Sequence, residues 1–178
     1  MKKLKVGLLV ATLSLSACVS EVRETTKLSL KANEKVQQIT IVTKTADNAI
    51  DPGGLFKQQY YRAMLNQLEL DIKAAGIVID EIQFKADETS LDPTAQEVRL
   101  LQKKNVRNVL LIDIFNLSRD KYSVSYNLGV SVLDFKSSKQ FYDGNQSVAH
   151  TIDFSTHEKM RELGDKVFTS IKPALGIE

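Results

Sequence analysis

One cysteine, no tryptophan, two histidines and three prolines in 178 residues narrow what this chain can be. A lone thiol, Cys18, makes no disulfide within the chain and is no Cys-rich metal site. His150 and His157 are the other soft donors. Seven residues apart, they meet only if the intervening loop folds back, and Asp153 and Glu158 would then have to complete a zinc site. The chain also lacks a long apolar run. Its most apolar stretch, Val6 to Leu15, has the length of a signal-peptide core and falls short of the about 20 residues that cross a bilayer as a helix. Charge of one sign is missing too. The 24 basic residues against 22 acidic ones include Lys2, Lys3 and Lys5. Without residues 1–17 the balance is 21 to 22, a formal −1. The basic pI is therefore no argument for nucleic-acid or anionic-lipid binding.

What is present at the amino end is a pattern. Three lysines precede the apolar run, and the run closes on Leu15-Ser16-Ala17-Cys18. This tetrapeptide resembles the lipobox of bacterial lipoproteins, in which small residues precede a cysteine. The resemblance implies that Leu15, Ser16 and Ala17 are read by the signal peptidase, that Cys18 becomes the amino terminus, and that its sulfur and amine carry acyl chains. Two chains already give stable anchoring, at about 0.8 kcal/mol per buried CH₂. Val19 follows Cys18, where aspartate is the usual inner-membrane retention signal, so the expected location is the outer membrane, facing the periplasm. Acylation would leave no thiol for a disulfide, a metal or a nucleophile.

We expect residues 1–17 to be signal, residues 18–35 a lipidated cysteine with a flexible tether, and residues 36–178 one domain. A tether of that length spans on the order of 20 Å. The alternation of Leu28 and Leu30 with polar residues leaves room there for a short edge strand.

Ile39, Ile41 and Val42 mark the first core strand. Asp51-Pro52 reads as a helix start, and Tyr61, Met64, Leu65, Leu68, Ile72 and Ala75 form a helical stripe that Gly76 ends. A strand over Ile77–Phe84 follows. Asp92-Pro93 repeats the start signal for a second helix, with Ala95, Val98 and Leu101 inward and Asn105 as its left-handed cap. The apolar run from Val109 to Phe115 predicts a central strand covered on both faces. From Tyr122 to Val132, apolar residues alternate strictly with Ser123, Ser125, Asn127, Gly129 and Ser131. Period two gives one buried face and one polar face. A turn at Lys136–Lys139 leads to a returning strand, over Gln140–Tyr142 and again near Val148–Ile152. Ser155 and Glu158 form a capping-box pattern ahead of Met160, Leu163, Val167, Phe168 and Ile171. The order is β-α-β-α-β-β-β-α. This predicts an α/β (α+β) domain with one mixed parallel and antiparallel sheet and helices packed on it.

That order, and the hairpin from Val130 to Gly144, resemble a small α/β domain of several envelope proteins. These are the curli-secretion lipoprotein, the lipoprotein activators of peptidoglycan synthases, and the amino-terminal domain of the Tol-system β-propeller protein. In that hairpin a strand ends in Asp, turns through small residues and a lysine, and returns through an aromatic before Gly. Ser138 and Tyr142 stand where the group usually has Gly and often Trp. The resemblance implies a non-enzymatic domain that binds proteins or builds assemblies, without naming its partner.

Candidate chemistry is sparse. Asp113 interrupts the most apolar strand, and a buried acid there could serve a periplasmic hydrolase together with His150 or His157. Gly53-Gly54 before a helix lacks the spacing of a phosphate loop. Tyr60, Tyr61 and Tyr142 read as core or core-edge residues. Ser123, Ser125, Asn127 and Ser131 offer an interaction face but have no base beside them in sequence to activate a hydroxyl. We expect no metal, no cofactor and no nucleic acid. Contact with the membrane through Cys18, an envelope protein partner, and self-assembly into an oligomer or ring-like secretion subunit remain.

Overall fold

The structure is a computed structural model that describes residues 21–45, 54, 56–83 and 95–177. Leu15, Ser16, Ala17, Cys18, Asp51-Pro52, Gly53 and Asp92-Pro93 lie outside the described residues.

The described chain forms strands β1 (Glu21–Ser29), β2 (Gln38–Thr45), β3 (Val78–Gln83), β4 (Asn108–Arg119), β5 (Ser123–Asp134) and β6 (Lys139–Thr151). The α-helices are α1 (Arg62–Ala74), α2 (Ala95–Lys103) and α3 (Thr156–Ile171). The strands make one mixed sheet in the order β1-β6-β5-β4-β2-β3. β2 runs parallel to β3 and β4, because helical connections return each chain to the same end. β4, β5 and β6 form an antiparallel meander. The expected α/β class with a mixed sheet is the observed one.

β1 corrects the expectation of a tether through residue 35. It pairs antiparallel with β6, from Glu21 opposite Ala149 to Ser29 opposite Tyr142. Its sequence, EVRETTKLS, carries charge because an edge strand has water on its free side, and edge charges discourage pairing with other chains. A register shift between Thr26 and Leu28 bends the same edge. The short edge strand allowed near Leu28 is thus present, longer and earlier.

From β1 the chain must reach β2 on the far side of β6, β5 and β4. Four strand spacings of about 4.8 Å make roughly 19 Å, which the eight residues 30–37 span when extended. The carboxyl end of the chain holds this crossover. Ala32 donates its N–H to Pro173 O at 2.9 Å, and Val36 donates to Leu175 O at 3.0 Å. Gly176 takes a left-handed φ of 67°, and a Cβ there would lie 2.5 Å from Glu34 O.

The main core lies between one sheet face and the pair α1 and α3. Ile39, Ile41, Leu110, Ile112, Leu128 and Val130 face Met64, Leu68, Ile72, Met160, Val167 and Ile171. Gly164 lets the two helices touch, since a Cβ would stand 2.6 Å from Met64 O. The expected first helix opens differently: Phe56–Tyr61 is a π-helical turn. The five-residue step brings Phe56 over Tyr61, with ring centres 6.4 Å apart and nearly parallel planes. Gly76 ends α1 as expected, with φ 75° and Ile77 N–H bonded to Ile72 O at 3.2 Å. On the other sheet face α2 buries Leu101 against Val42, Val106 and Val109. β4 is therefore central and covered on both faces, and Asn105 caps α2 at φ 54°.

Three local expectations change. Tyr122 is 66% exposed and precedes β5, so the buried alternation begins at Val124. The return strand is continuous over Lys139–Thr151. Ser155 makes no side-chain cap bond to α3. Instead Asp153 Oδ1 accepts from Ser155 N–H at 2.8 Å and from Ser155 Oγ at 2.6 Å. A carboxylate is the stronger acceptor and takes the serine hydroxyl for itself.

Candidate functional site

Asp113 lies on the central strand β4 and is buried, 9% exposed. It alternates with Ile112 and Ile114, which face α1 and α3, so it belongs to the opposite, α2-bearing face. Its register partners are Lys44 on β2 and Gly129 on β5. Lys44 is 1% exposed. A buried acid thus stands opposite a buried lysine in the sheet register.

His150 sits on the other face. It follows Val148 on β6, and its ring meets Tyr126 edge-on, with centres 6.5 Å apart. Its Nε2 is buried without a hydrogen-bond partner. Burial, and then the nearby positive charge of Lys159, hold its pKa below the usual histidine value. A cavity of about 360 Å³ lies here between β6 and α3, bordered by Glu158, Lys159, Glu162 and Lys166. Burial also pushes the Tyr126 phenol far up, and its hydroxyl lies 3.3 Å from Met160 Sδ.

His157 is exposed in the first turn of α3, edge-on to Tyr60 at 5.1 Å. The sheet separates Asp113 from His150, which lie on its opposite faces. Asp113 and His150 therefore do not share a cleft. Among the described residues no group of three His, Cys, Asp or Glu side chains could hold a metal. A carboxylate pair does occur elsewhere. Gln67 donates to Asp71 Oδ1 at 3.2 Å and to Asp165 Oδ1 at 2.9 Å, across α1 and α3. Partial burial and the adjacent Asp165 raise the Asp71 pKa, but this pair sits on the outer side of the helices.

The polar face of β5 is open on its β6 side. Ser123 and Ser125 are exposed, and Asn127 and Ser131 are half-buried. Ser123 Oγ donates to Asp120 Oδ2 at 2.9 Å in the β4–β5 turn. Ser131 Oγ donates to Asp143 Oδ1 at 3.3 Å, and Asn127 Oδ1 accepts from Ser147 Oγ at 2.8 Å. Ser125 and Asn127 line a shallow depression of about 400 Å³ with Arg23 and Asn116. Arg23 was missed because β1 was not expected at full length. Asn116 stands at the irregularity between Phe115 and Ser118, at φ 53°, a conformation that asparagine tolerates better than most residues. Tyr61 and Tyr142 are core residues, as read. Gly54 has φ 65°, which fits a permissive turn.

No protein-family model matches the sequence, and no curated protein matches it. Comparison with solved structures does find relatives of the fold. The chain is similar in fold to PelC. The PelC dodecamer from Paraburkholderia phytofirmans superposes with a TM-score of 0.51 at 13% identity, over 90% of this chain and 99% of that one. The lipoprotein GNA1162 from Neisseria meningitidis gives 0.46 at 16% identity, over 75% and 97%. A hypothetical protein from Chlamydia trachomatis gives 0.43 at 10% identity, over 75% and 97%. At these identities the likeness to PelC is one of fold: a single α/β unit spanning nearly all of that chain.

Proposed function

We propose that this chain is a bacterial envelope lipoprotein, held by acyl chains on Cys18 in the outer membrane and facing the periplasm. Its domain works by protein–protein contact and without catalysis. The observation that carries the contact role is the polar sheet face of β1, β6 and β5. Helices α1 and α3 pack on the opposite face, and Ser125 and Ser147 are exposed on this one. The separation of Asp113 from His150 by the sheet supports the same reading. So does the likeness of the Val130–Gly144 hairpin to the curli-secretion and synthase-activator group. An anchor confines the domain to a thin layer and raises its effective concentration near membrane partners, so modest affinity suffices.

The Cys18→Ala variant tests the anchor. It is expected to lose radiolabelled palmitate and leave the membrane fraction; retention of both refutes the anchor. Crosslinking in cells from a photoreactive residue at Ser125 tests the face. It should capture an envelope protein or a second copy, and no adduct above a Lys136 control refutes it.

Self-association is a second reading, favoured by the PelC structure, which is described as a dodecamer. Native mass spectrometry of detergent-extracted protein is expected to show a closed oligomer. A monomer at micromolar concentration refutes it.

A further inference from the structure

The stretch expected to hold the domain away from its anchor is strand β1, and this fixes where the domain stands. From Cys18 to Glu21 the chain advances three residues, a span of at most roughly 11 Å. The sheet end where β1 begins therefore lies within that distance of the anchor residue. Glu21 is opposite Ala149, so the same end holds the last residues of β6, the β4–β5 turn and the loop into α3. Two aromatic side chains project there. Phe154 is 103% exposed and Tyr122 is 66% exposed. Their turns lie side by side, joined by a 2.7 Å bond from Ile152 N–H to Tyr122 O. Both turns are built firmly. Asp120 accepts from the N–H groups of Tyr122 and Ser123 at 2.6 and 2.7 Å, and Asp153 accepts from Ser155 and Lys159. Lys121 Nζ lies 5.2 Å from the centre of the Tyr122 ring.

A single exposed aromatic residue is ordinary on a water-soluble domain. Two on rigid adjacent turns, with a lysine, at the sheet end nearest a lipid attachment point, have the placement of interfacial residues. The rings reach the acyl boundary while the ammonium stays among phosphates. Asp120, Asp153 and Glu158 at the same end keep the insertion shallow.

We propose that Tyr122 and Phe154 form a membrane-docking edge that seats this domain end-on against the leaflet holding Cys18. The inference rests on the lipid-anchor reading. The occupant is the lipid surface, and the anchor supplies the proximity that two side chains alone would not. Docking orients the molecule: the turn at residues 135–138 points away from the membrane, and the polar face of β5 opens sideways, toward proteins in the same layer.

Acylation consumes the one native thiol, so an introduced cysteine is a unique label site. Full-length acylated protein carrying Tyr122→Cys, Phe154→Cys or, at the far turn, Ser137→Cys is labelled with a fluorophore. It is reconstituted into phosphatidylethanolamine–phosphatidylglycerol vesicles containing a nitroxide-lipid quencher. Quenching at positions 122 and 154 is expected to exceed that at 137 by several-fold. Equal quenching at all three on vesicle-bound protein overturns the docking edge and leaves the anchor intact. Reaction of unsubstituted membrane-extracted protein with maleimide at Cys18 overturns the anchor, and the docking edge with it.

Discussion

Tyr142 on β6 donates its hydroxyl to Glu24 Oε1 on β1 at 3.2 Å. The same oxygen accepts from Thr26 at 3.4 Å and from Ser170 of α3 at 3.3 Å. One carboxylate thus joins edge strand, neighbouring strand and helix, and explains why so polar a segment stays on the sheet. Tyr142→Phe removes one donor and should cost about 1 kcal/mol in urea unfolding. Glu24→Ala removes the acceptor shared by all three and should cost more, although Ser170 keeps the Lys166 carbonyl at 3.0 Å. Hydrogen exchange at the β1 amides should quicken in both variants, Glu24→Ala first.

Gly164 faces the Met64 carbonyl where α3 crosses α1. In Gly164→Ala a Cβ would meet backbone, which cannot rotate away as a flexible side chain can. The helices must separate, at a cost of about 1–3 kcal/mol. Urea unfolding should show a lower midpoint with the far-ultraviolet spectrum unchanged.

Gly176→Ala should loosen the crossover between β1 and β2. The substitution puts Cβ on a left-handed backbone, costing roughly 1–2 kcal/mol, and drives it into Glu34 O. Limited proteolysis should then cut within residues 30–37 sooner than in the parent chain. Equal cutting rates would mean that the chain end does not hold the crossover.

His150 gives the stability a pH dependence of known sign. Burial, then Lys159, depress its folded pKa below the 6.5 of the free side chain. The unfolded chain therefore takes up the proton first. Stability should fall as pH drops through 6.5, and the loss is complete once folded His150 also protonates. Urea midpoints between pH 7.5 and 5 should decline, and the decline should be shallower in His150→Gln. Asp153 acts in a lower window. Hydrogen bonds from Ser155 and from Lys159 bring its pKa to about 2, so its contribution is present above the usual carboxylate range and lost as pH falls toward 2.

Much of the domain was legible because local pattern and burial agree where strands and helices face a core. The alternation from Val124 to Val132, the run from Val109 to Ile114 and the stripe of α1 all went where their periods point. β1 was not legible as a nine-residue strand, since its charge and low apolar content also describe a tether. What makes it a strand is β6, more than a hundred residues later. The capping box at Ser155 and Glu158 failed for a similar reason: a short motif does not register a stronger acceptor two residues upstream.

The candidate site divides the same way. Ser125 and Asn127 were readable as an open polar face because period two places them there. Arg23, Asn116 and Ser147 join them only through strand pairing. Asp113, His150 and His157 carry the same chemical promise in one dimension, and the sheet puts Asp113 and His150 on opposite faces.

By itself the sequence determined the α/β class and which side of each core strand is apolar, because these depend on residue type and spacing alone. Tertiary structure decided that β1 closes the sheet edge, that Asp113 and His150 lie on opposite sheet faces, and that Tyr122 and Phe154 share the end at which β1 begins. Such relations depend on which strands pair and in what register, and distant segments settle that together.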